Sequence, residues 1–240
     1  MTYSLKDKAV LLVGGGSDIA AALAADLLEE GARVTLAGRD LEKTAIAAKA
    51  VGDTVEATAL DLADEGSIQA AAGRFADGID HLVSVAAARA NGPIGSLERG
   101  ALLAAFDAKV VGPILLAEHF APLIAESGSL LFFSGLAAWR PAPGGVVMAT
   151  TNGSVSTLAA ALAVELAPTR VNVIAPGVIT TSAWDTTVPD KQQLFRRVAA
   201  SVPARRVGEP SDVSAAALAV LANPFITGET LHVDGGGRWA

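Results

Sequence analysis

The residues whose types and spacing point to chemistry begin with the run VGGGSDIA, residues 13–20, set between an apolar stretch and an alanine-rich one. A glycine turn that leads a strand into a helix lets backbone N–H groups and the helix N-terminus approach a pyrophosphate. Gly14, Gly16, Ser17, Asp18 and Ile19 are therefore the expected phosphate-loop residues. A plain strand-to-helix turn also favours glycine, so the dinucleotide reading rests on the loop opening a strand–helix–strand unit. Asp18 brings a negative charge toward that phosphate. Its simplest role is to cap the helix, where the helix dipole favours it, with a role at the ligand as the alternative. The next apolar stretch ends LAGRD, residues 36–40. An acid there would hold the ribose hydroxyls of NAD, whereas a 2′-phosphate requires an arginine and no acid. Gly38 followed by Arg39 predicts NADP(H) in preference to NAD(H); a solvated loop charge is the other reading of Arg39.

Other chemistries are excluded by what the chain lacks. With no cysteine it has no disulfide, thiolate metal site or cysteine nucleophile, which is compatible with a reducing compartment. His81, His119 and His232 fall on separate elements away from carboxylates at ligand spacing, so they are expected to be structural and no metal is expected. A net charge of −7 without any basic run makes nucleic acid an unexpected partner. The N-terminus has no signal-peptide pattern, and no run reaches the roughly 20 apolar residues of a membrane span once polar and Pro/Gly interruptions are counted. A cytoplasmic protein with no membrane partner is expected.

The elements that must position these residues follow from the apolar pattern. Runs at 8–14, 33–38, 54–61, 80–87, 128–135, 170–177 and within 229–236 read as strands that are apolar throughout, the pattern of strands covered on both faces. Helical patterns lie between them: 18–31 closed by Gly31, a helix opened by Asp40 as N-cap, EGSIQAAAGRFA, and long helices near 98–126, 146–167 and 210–221. Alternation of this kind predicts a doubly wound α/β fold, a mostly seven-stranded parallel sheet with helices on both faces, as one domain over 1–240. Hydrophobic residues make up 51% of the chain, enough for such a core.

In that arrangement the chain resembles the short-chain dehydrogenase/reductase family over essentially its whole length. VGGGSDIA is similar to the family's TGxxxGIG loop, with Val13, Asp18 and Ala20 at its Thr and last two Gly positions. LDLAD carries Asp61, with Leu62, where the family's acid contacts the adenine. LVSVAA (82–87), with Ala86, stands at the Asn-Asn-Ala-Gly turn. RVNVIAPGVITT (170–181) matches the segment whose Pro176, Gly177, Ile179 and Thr181 would hold the nicotinamide, and PFITGETLHVDGG matches the final strand.

The family's catalytic set is Asn, Ser, Tyr and Lys, and here the resemblance breaks. Those positions hold Lys109, Gly135 (with Ser134 just before it), Met148 and Asn152, and the only tyrosine is Tyr3. The usual phenol acid is absent. Asn and Lys stand exchanged, so an ammonium is expected to remain in the site. A lysine loses basicity when buried and serves as an acid near neutral pH. Lys109 is the expected catalytic cation, with Asn152 beside it, Ser134 or Thr150 as hydrogen-bond donors and Met148 as an apolar wall; the alternative is a solvated helix lysine paired with Asp107 or Glu118. Asn152 also occupies the position that binds the nicotinamide ribose. Trp184, in the lid-like segment 180–195, is expected to line a small-molecule substrate pocket, with Trp139 and Phe195 as weaker candidates. The family's habit and the apolar helix 100–125 imply a homodimer or homotetramer. The resulting expectation is an atypical NADP(H)-dependent oxidoreductase, with a catalytically silent NADP(H) sensor as the alternative.

Overall fold

The computed structural model describes residues 4–240; Tyr3 lies outside them. Within these residues β1 (Ala9–Val13), β2 (Arg33–Gly38), β3 (Glu56–Ala59), β4 (Ile79–Ser84), β5 (Ile124–Phe133), β6 (Arg170–Pro176) and β7 (Thr230–Val233) form one sheet. Its order is β3-β2-β1-β4-β5-β6-β7, and every pairing is parallel. The predicted doubly wound architecture is thus the observed one.

Side-chain alternation explains why the strands are apolar throughout. Leu11, Leu82, Leu130, Phe132, Val171 and Val173 turn to one face, where α3 (Glu65–Gly73), α5 (Gly112–Phe120) and α6 (Val146–Glu165) supply Ile68, Leu116, Phe120, Val155 and Leu162. Val10, Leu12, Val83, Leu131, Phe133 and Ile174 turn to the other, beneath α1 (Asp18–Glu29), α2 (Leu41–Val51) and α8 (Pro210–Ala222). Each such side chain removed from water contributes about 1.5–3 kcal/mol. Burial on both faces leaves the loops at the strand ends as the free surface for chemistry.

The single helix expected over 98–126 is not observed. α4 (Arg99–Phe106) runs into a π-helical turn, Asp107–Val111, then α5, then a 3₁₀ turn at Ala121–Leu123. Pro113 is the physical reason. It has no N–H for the carbonyl of Lys109 four residues earlier, and its ring crowds that carbonyl. The wider turn is closed instead by the Gly112 N–H donating to Asp107 O. Gly112 is held there because a Cβ would stand 2.5 Å from Asp107 O and 2.7 Å from Leu62 Cβ. A second helix, α7 (Lys191–Ser201), fills part of the segment read as a lid; Asp190 caps it by accepting from Gln193 N at 2.8 Å.

A further correction concerns apolar length. Arg99–Leu123 and Val146–Glu165 are long and apolar enough to cross a membrane by length and composition, with 33% of each span buried. The buried share packs on the sheet, through Leu116 and Phe120 of one and Val155, Ala159 and Leu162 of the other.

Arg170 opens β6 almost fully buried, and its guanidinium donates to Val220 O, Leu221 O and Ile226 O at 3.0, 2.8 and 3.1 Å. It thereby answers the Val220 and Leu221 carbonyls at the end of α8, which have no helical donor, and the Ile226 carbonyl in the loop beyond. Replacing it leaves buried acceptors unmade. Arg170→Met is expected to lower unfolding free energy by about 3 kcal/mol in urea titrations, whereas the exposed Arg33→Met changes it by less than about 0.5 kcal/mol.

Candidate functional site

A parallel sheet places the carboxyl ends of all its strands along one edge, and here the chain reverses direction across the sheet between β1 and β4. Ligands of open α/β sheets bind in the crevice at such a switch point. Gly14 sits in it with φ +90°, a conformation that favours glycine, and donates its N–H to Ala37 O at 2.9 Å. A Cβ on Gly14 would meet the Ala86 nitrogen at 2.8 Å, so the loops after β1 and β4 touch at this point. Gly16, by contrast, faces open space: a Cβ there meets nothing within 4 Å. An open backbone cradle at the start of a twelve-residue helix suits a pyrophosphate. Ser17 is the N-cap of α1, accepting from Ala20 N at 3.2 Å. This corrects the reading of Asp18 as the cap; Asp18 is the first helical residue, and its carboxylate accepts from the Ser182 N–H.

Along the same edge, Arg39 is exposed directly after β2 and joins no ion pair among the described residues. The neighbouring acid is occupied elsewhere. Asp40 caps α2 through Lys43 N at 3.1 Å and pairs with Lys43 Nζ at 3.2 Å. Its carboxyl is held below the usual range mainly by the Lys43 backbone N–H. Asp61 follows β3, half-buried, accepting from Ala63 N at 3.0 Å, with Leu62 buried next to it. Pro176, buried, ends β6, and Gly177 after it donates to Val233 O at 3.0 Å. Ile179 is buried, and Thr181 opens a 3₁₀ turn at Ser182–Trp184. The sequence-predicted cofactor residues thus line one crevice edge.

The residues in the catalytic positions form a compact buried group. Lys109 lies in the π-helical turn, 4% exposed, and its Nζ donates to Phe133 O, the last carbonyl of β5, at 2.6 Å. Among the described residues no carboxylate pairs with it, so the alternative of partnership with Asp107 or Glu118 does not hold. Burial of the ammonium drops its pKa from the ordinary 10.5 to about 8. Ser134, next after Phe133, donates its hydroxyl to Asn152 O at 2.7 Å. Thr150 donates to Val146 O at 2.8 Å and is exposed. Both hydroxyl hydrogens are committed to backbone, which corrects their reading as free donors.

Asn152 is 4% exposed, and its Oδ1 is buried with no hydrogen-bond partner among the described residues. Such an orphan is costly unless a ligand or water answers it. Gly135 explains how the amide fits, because a Cβ there would stand 3.2 Å from Asn152 Nδ2. Met148, half-buried, lies one turn earlier on the same face of α6. A serine at 135 and an asparagine at 152 would compete for one volume; the chain uses glycine and asparagine.

Sequence reading missed the contacts of the lid. Trp184 donates Nε1–H to Ile179 O at 2.7 Å, and the Arg89 guanidinium lies 5.1 Å from the centre of its ring. Arg89 Nη1 also donates to Thr187 Oγ1 and, at 3.5 Å, to Ala183 O. No local pattern in AAARANG signals this, since the partners are 94 and 98 residues away. Trp139 instead packs edge-on against His232, with ring centroids 4.3 Å apart. Of the other histidines, His81 is buried on Ser129 Oγ at 2.9 Å, its pKa dropped to about 4 by burial. His119 meets Glu65 and Glu118 with ligand atoms within 4.8 Å, a grouping that only the packing of α3 on α5 creates. A cavity of about 330 Å³ lies between α7, α8 and β7 and adjoins the crevice edge through Val178 and Ile179; its guanidiniums, Arg206 and Arg238, are paired with Asp212 and Asp234.

The family described as enoyl-(acyl carrier protein) reductase matches residues 14–237. Sorbitol dehydrogenase of Cereibacter sphaeroides is 32% identical, the alignment covering 97% of this chain and 98% of that protein. Among solved structures, the MalC reductase/Diels-Alderase of Malbranchea aurantiaca is similar with a TM-score of 0.92, 27% identity and 98% of each chain covered. A small-chain dehydrogenase in complex with NADPH is similar at 0.82 and 29% identity, over 98% of this chain and 100% of that one.

The site generates two expectations. Between pH 8 and 10.5 the unfolded state binds the Lys109 proton that the folded state has released, so stability rises with pH in that window. Relative to Lys109→Met, the wild-type protein should gain up to about 3 kcal/mol from pH 8 to 10.5 in urea midpoints. Asp18→Asn keeps an acceptor for Ser182 N while removing a negative charge from the start of α1. It should tighten binding of a reduced nicotinamide dinucleotide by about fivefold in fluorescence titrations, a gain near 1 kcal/mol.

Proposed function

Because this chain belongs to the short-chain dehydrogenase/reductase family, we propose that it is an NADP(H)-dependent oxidoreductase acting on a small carbonyl, quinone or activated C=C compound, with Lys109 in place of a tyrosine acid. The observation that carries this reading is the buried ammonium of Lys109, held by one carbonyl and no carboxylate. An ammonium has three N–H donors, and a substrate oxygen that gathers negative charge can take one of them. When bound, the nicotinamide supplies or accepts the hydride.

The chain's own residues do the rest. Gly14, Gly16, Ser17 and Ile19 offer the phosphate cradle, with Asp18 at its edge, while Asp61, Leu62 and Ala86 flank the adenosine side. Arg39, free of the neighbouring Asp40, supports NADP(H) over NAD(H). Pro176, Gly177, Ile179 and Thr181 hold the nicotinamide side, and the unpartnered Asn152 Oδ1 suits a ribose hydroxyl. Lys109 Nζ steadies the substrate oxygen and passes it a proton, which a pKa of about 8 permits near neutral pH. Ser134 holds α6 to the end of β5 rather than donating to substrate. Met148 and Trp184 wall the pocket. Exposed Leu103, Phe106, Val111 and Ile114 on the α4–α5 stretch, with Val146 and Val164 on α6, support a homodimer or homotetramer.

A second reading, the silent NADP(H) sensor, is favoured by one observation: Lys109, Ser134 and Thr150 each already donate to a backbone carbonyl. Kinetics separates the two. Against a panel of reactive carbonyls and quinones with NADPH, Lys109→Ala should lower turnover by at least about 100-fold with NADPH affinity kept. The wild-type rate should fall above pH 8 as the ammonium deprotonates. Arg39→Ala should weaken NADPH by about tenfold and leave NADH unchanged. Tight NADPH binding with no oxidation by any acceptor assigns the protein to the sensor reading.

A further inference from the structure

We propose that Arg89 is the specificity-determining residue of this site and that the substrate carries a carboxylate next to its reducible group. The inference deepens the oxidoreductase reading above and rests on it. Arg89 lies on the loop that leaves β4, and that loop is fixed at both ends of the crevice. Ala86 abuts Gly14, and Gly92 donates its N–H to Gly144 O at 2.8 Å, just ahead of α6 with Met148 and Asn152. The Arg89 guanidinium reaches across to the lid and lies over Trp184, whose own Nε1–H is anchored on Ile179 O. The side chain therefore spans from the substrate rim to the segment that flanks the nicotinamide side.

Its partners are all neutral: an indole face, the Thr187 hydroxyl and the Ala183 carbonyl. The lid's acids are each occupied elsewhere. Asp185 pairs with Lys191 and Asp190 caps α7 through Gln193 N, while Asp18 of α1, outside the lid, holds Ser182 N. Lys191, the one cation of segment 180–195, is neutralised by its pair. Arg89 is left as the cation without a counter-charge in these two loops, and only Nη1 of its donors is bonded to protein. A planar fork whose Nε–H and Nη2–H are unbonded among the described residues, on a guanidinium whose carbon lies 5.1 Å from the centre of the Trp184 ring, matches two coplanar carboxylate oxygens. A phosphate dianion would ask for more positive charge than one guanidinium supplies.

The test uses benzoylformate and its methyl ester, the same reducible group with and without the anion. Binding to NADPH-loaded protein is measured by calorimetry in wild type and in Lys109→Ala, and KM and kcat are measured in wild type. The acid should bind at least about tenfold tighter than the ester in both proteins. Arg89→Ala should abolish that preference by weakening the acid alone, Arg89→Lys should keep part of it, and Arg89→Glu should reverse it. Equal binding of acid and ester, undetectable binding of both at 10 mM, or a preference that survives Arg89→Ala would overturn the proposal. Equal weakening of acid and ester in Arg89→Ala would make Arg89 a lid fastening only, and would also overturn it. Carboxylate-selective binding without turnover would leave the Arg89 assignment standing, and the absence of turnover across the carbonyl and quinone panel as well would sink the oxidoreductase reading.

Discussion

Parallel pairing of β1 with both β2 and β4 is the constraint on which everything else hangs. It sends the chain outward in both directions from one strand, so the loops after β1 and β4 must diverge and leave a crevice between them. It also requires a covering layer on each face, because every strand needs a crossover to reach its parallel neighbour. The two cores supply that cover and leave the carboxyl edge as the place where backbone and side chains stay available.

The buried group at the end of β5 shows how one exchange constrains its neighbours. An ammonium in the core is tolerable only with an acceptor, and the π-helical turn brings Lys109 to the Phe133 carbonyl. That turn exists because Pro113 denies Lys109 O its helical donor, and the close passage of Gly112 over Leu62 lets the wider turn fit. On the facing helix the shorter Asn152 lies over Gly135, where a larger residue would crowd it. Lys109, Pro113, Gly135 and Asn152 therefore read as one coupled arrangement. Its unfinished part is the Asn152 Oδ1, a buried acceptor that a ligand would satisfy.

The lid is held differently. Its fastenings are polar and exposed: Asp18 to Ser182, and Arg89 to Thr187, Ala183 and the face of Trp184. Polar contacts of this kind are worth little in water and rearrange readily. A segment attached in this way can exchange its partners for those of a ligand without disturbing either core. Lys109 is thus fixed by burial and a strand carbonyl, whereas Arg89 is held by exposed contacts that can be exchanged.

The fold was legible in the sequence because its cause is local and repeated. Strands apolar on both faces, alternating with helical stretches and opened by a glycine turn, admit few arrangements other than a doubly wound sheet. Absence was equally legible: with tyrosine only at position 3 and no cysteine, the composition itself removed two kinds of chemistry. The proline that breaks the helix at Lys109 stood in the sequence, yet the reading of one long helix passed over it, since a Pro near a helix start and a Pro forcing a wider turn look alike on paper. Other features had no local signal. The commitment of the Ser134 and Thr150 hydroxyls to backbone, the loss of any carboxylate from Lys109, the reach of Arg89 to Thr187 and the meeting of Glu65 with His119 all depend on which surfaces pack together. Sequence determined which groups the chain owns and which elements carry them. Tertiary structure alone decided which donors are already spent and which remain unpaired, because hydrogen bonds and burial are settled by distance in space and not by separation along the chain.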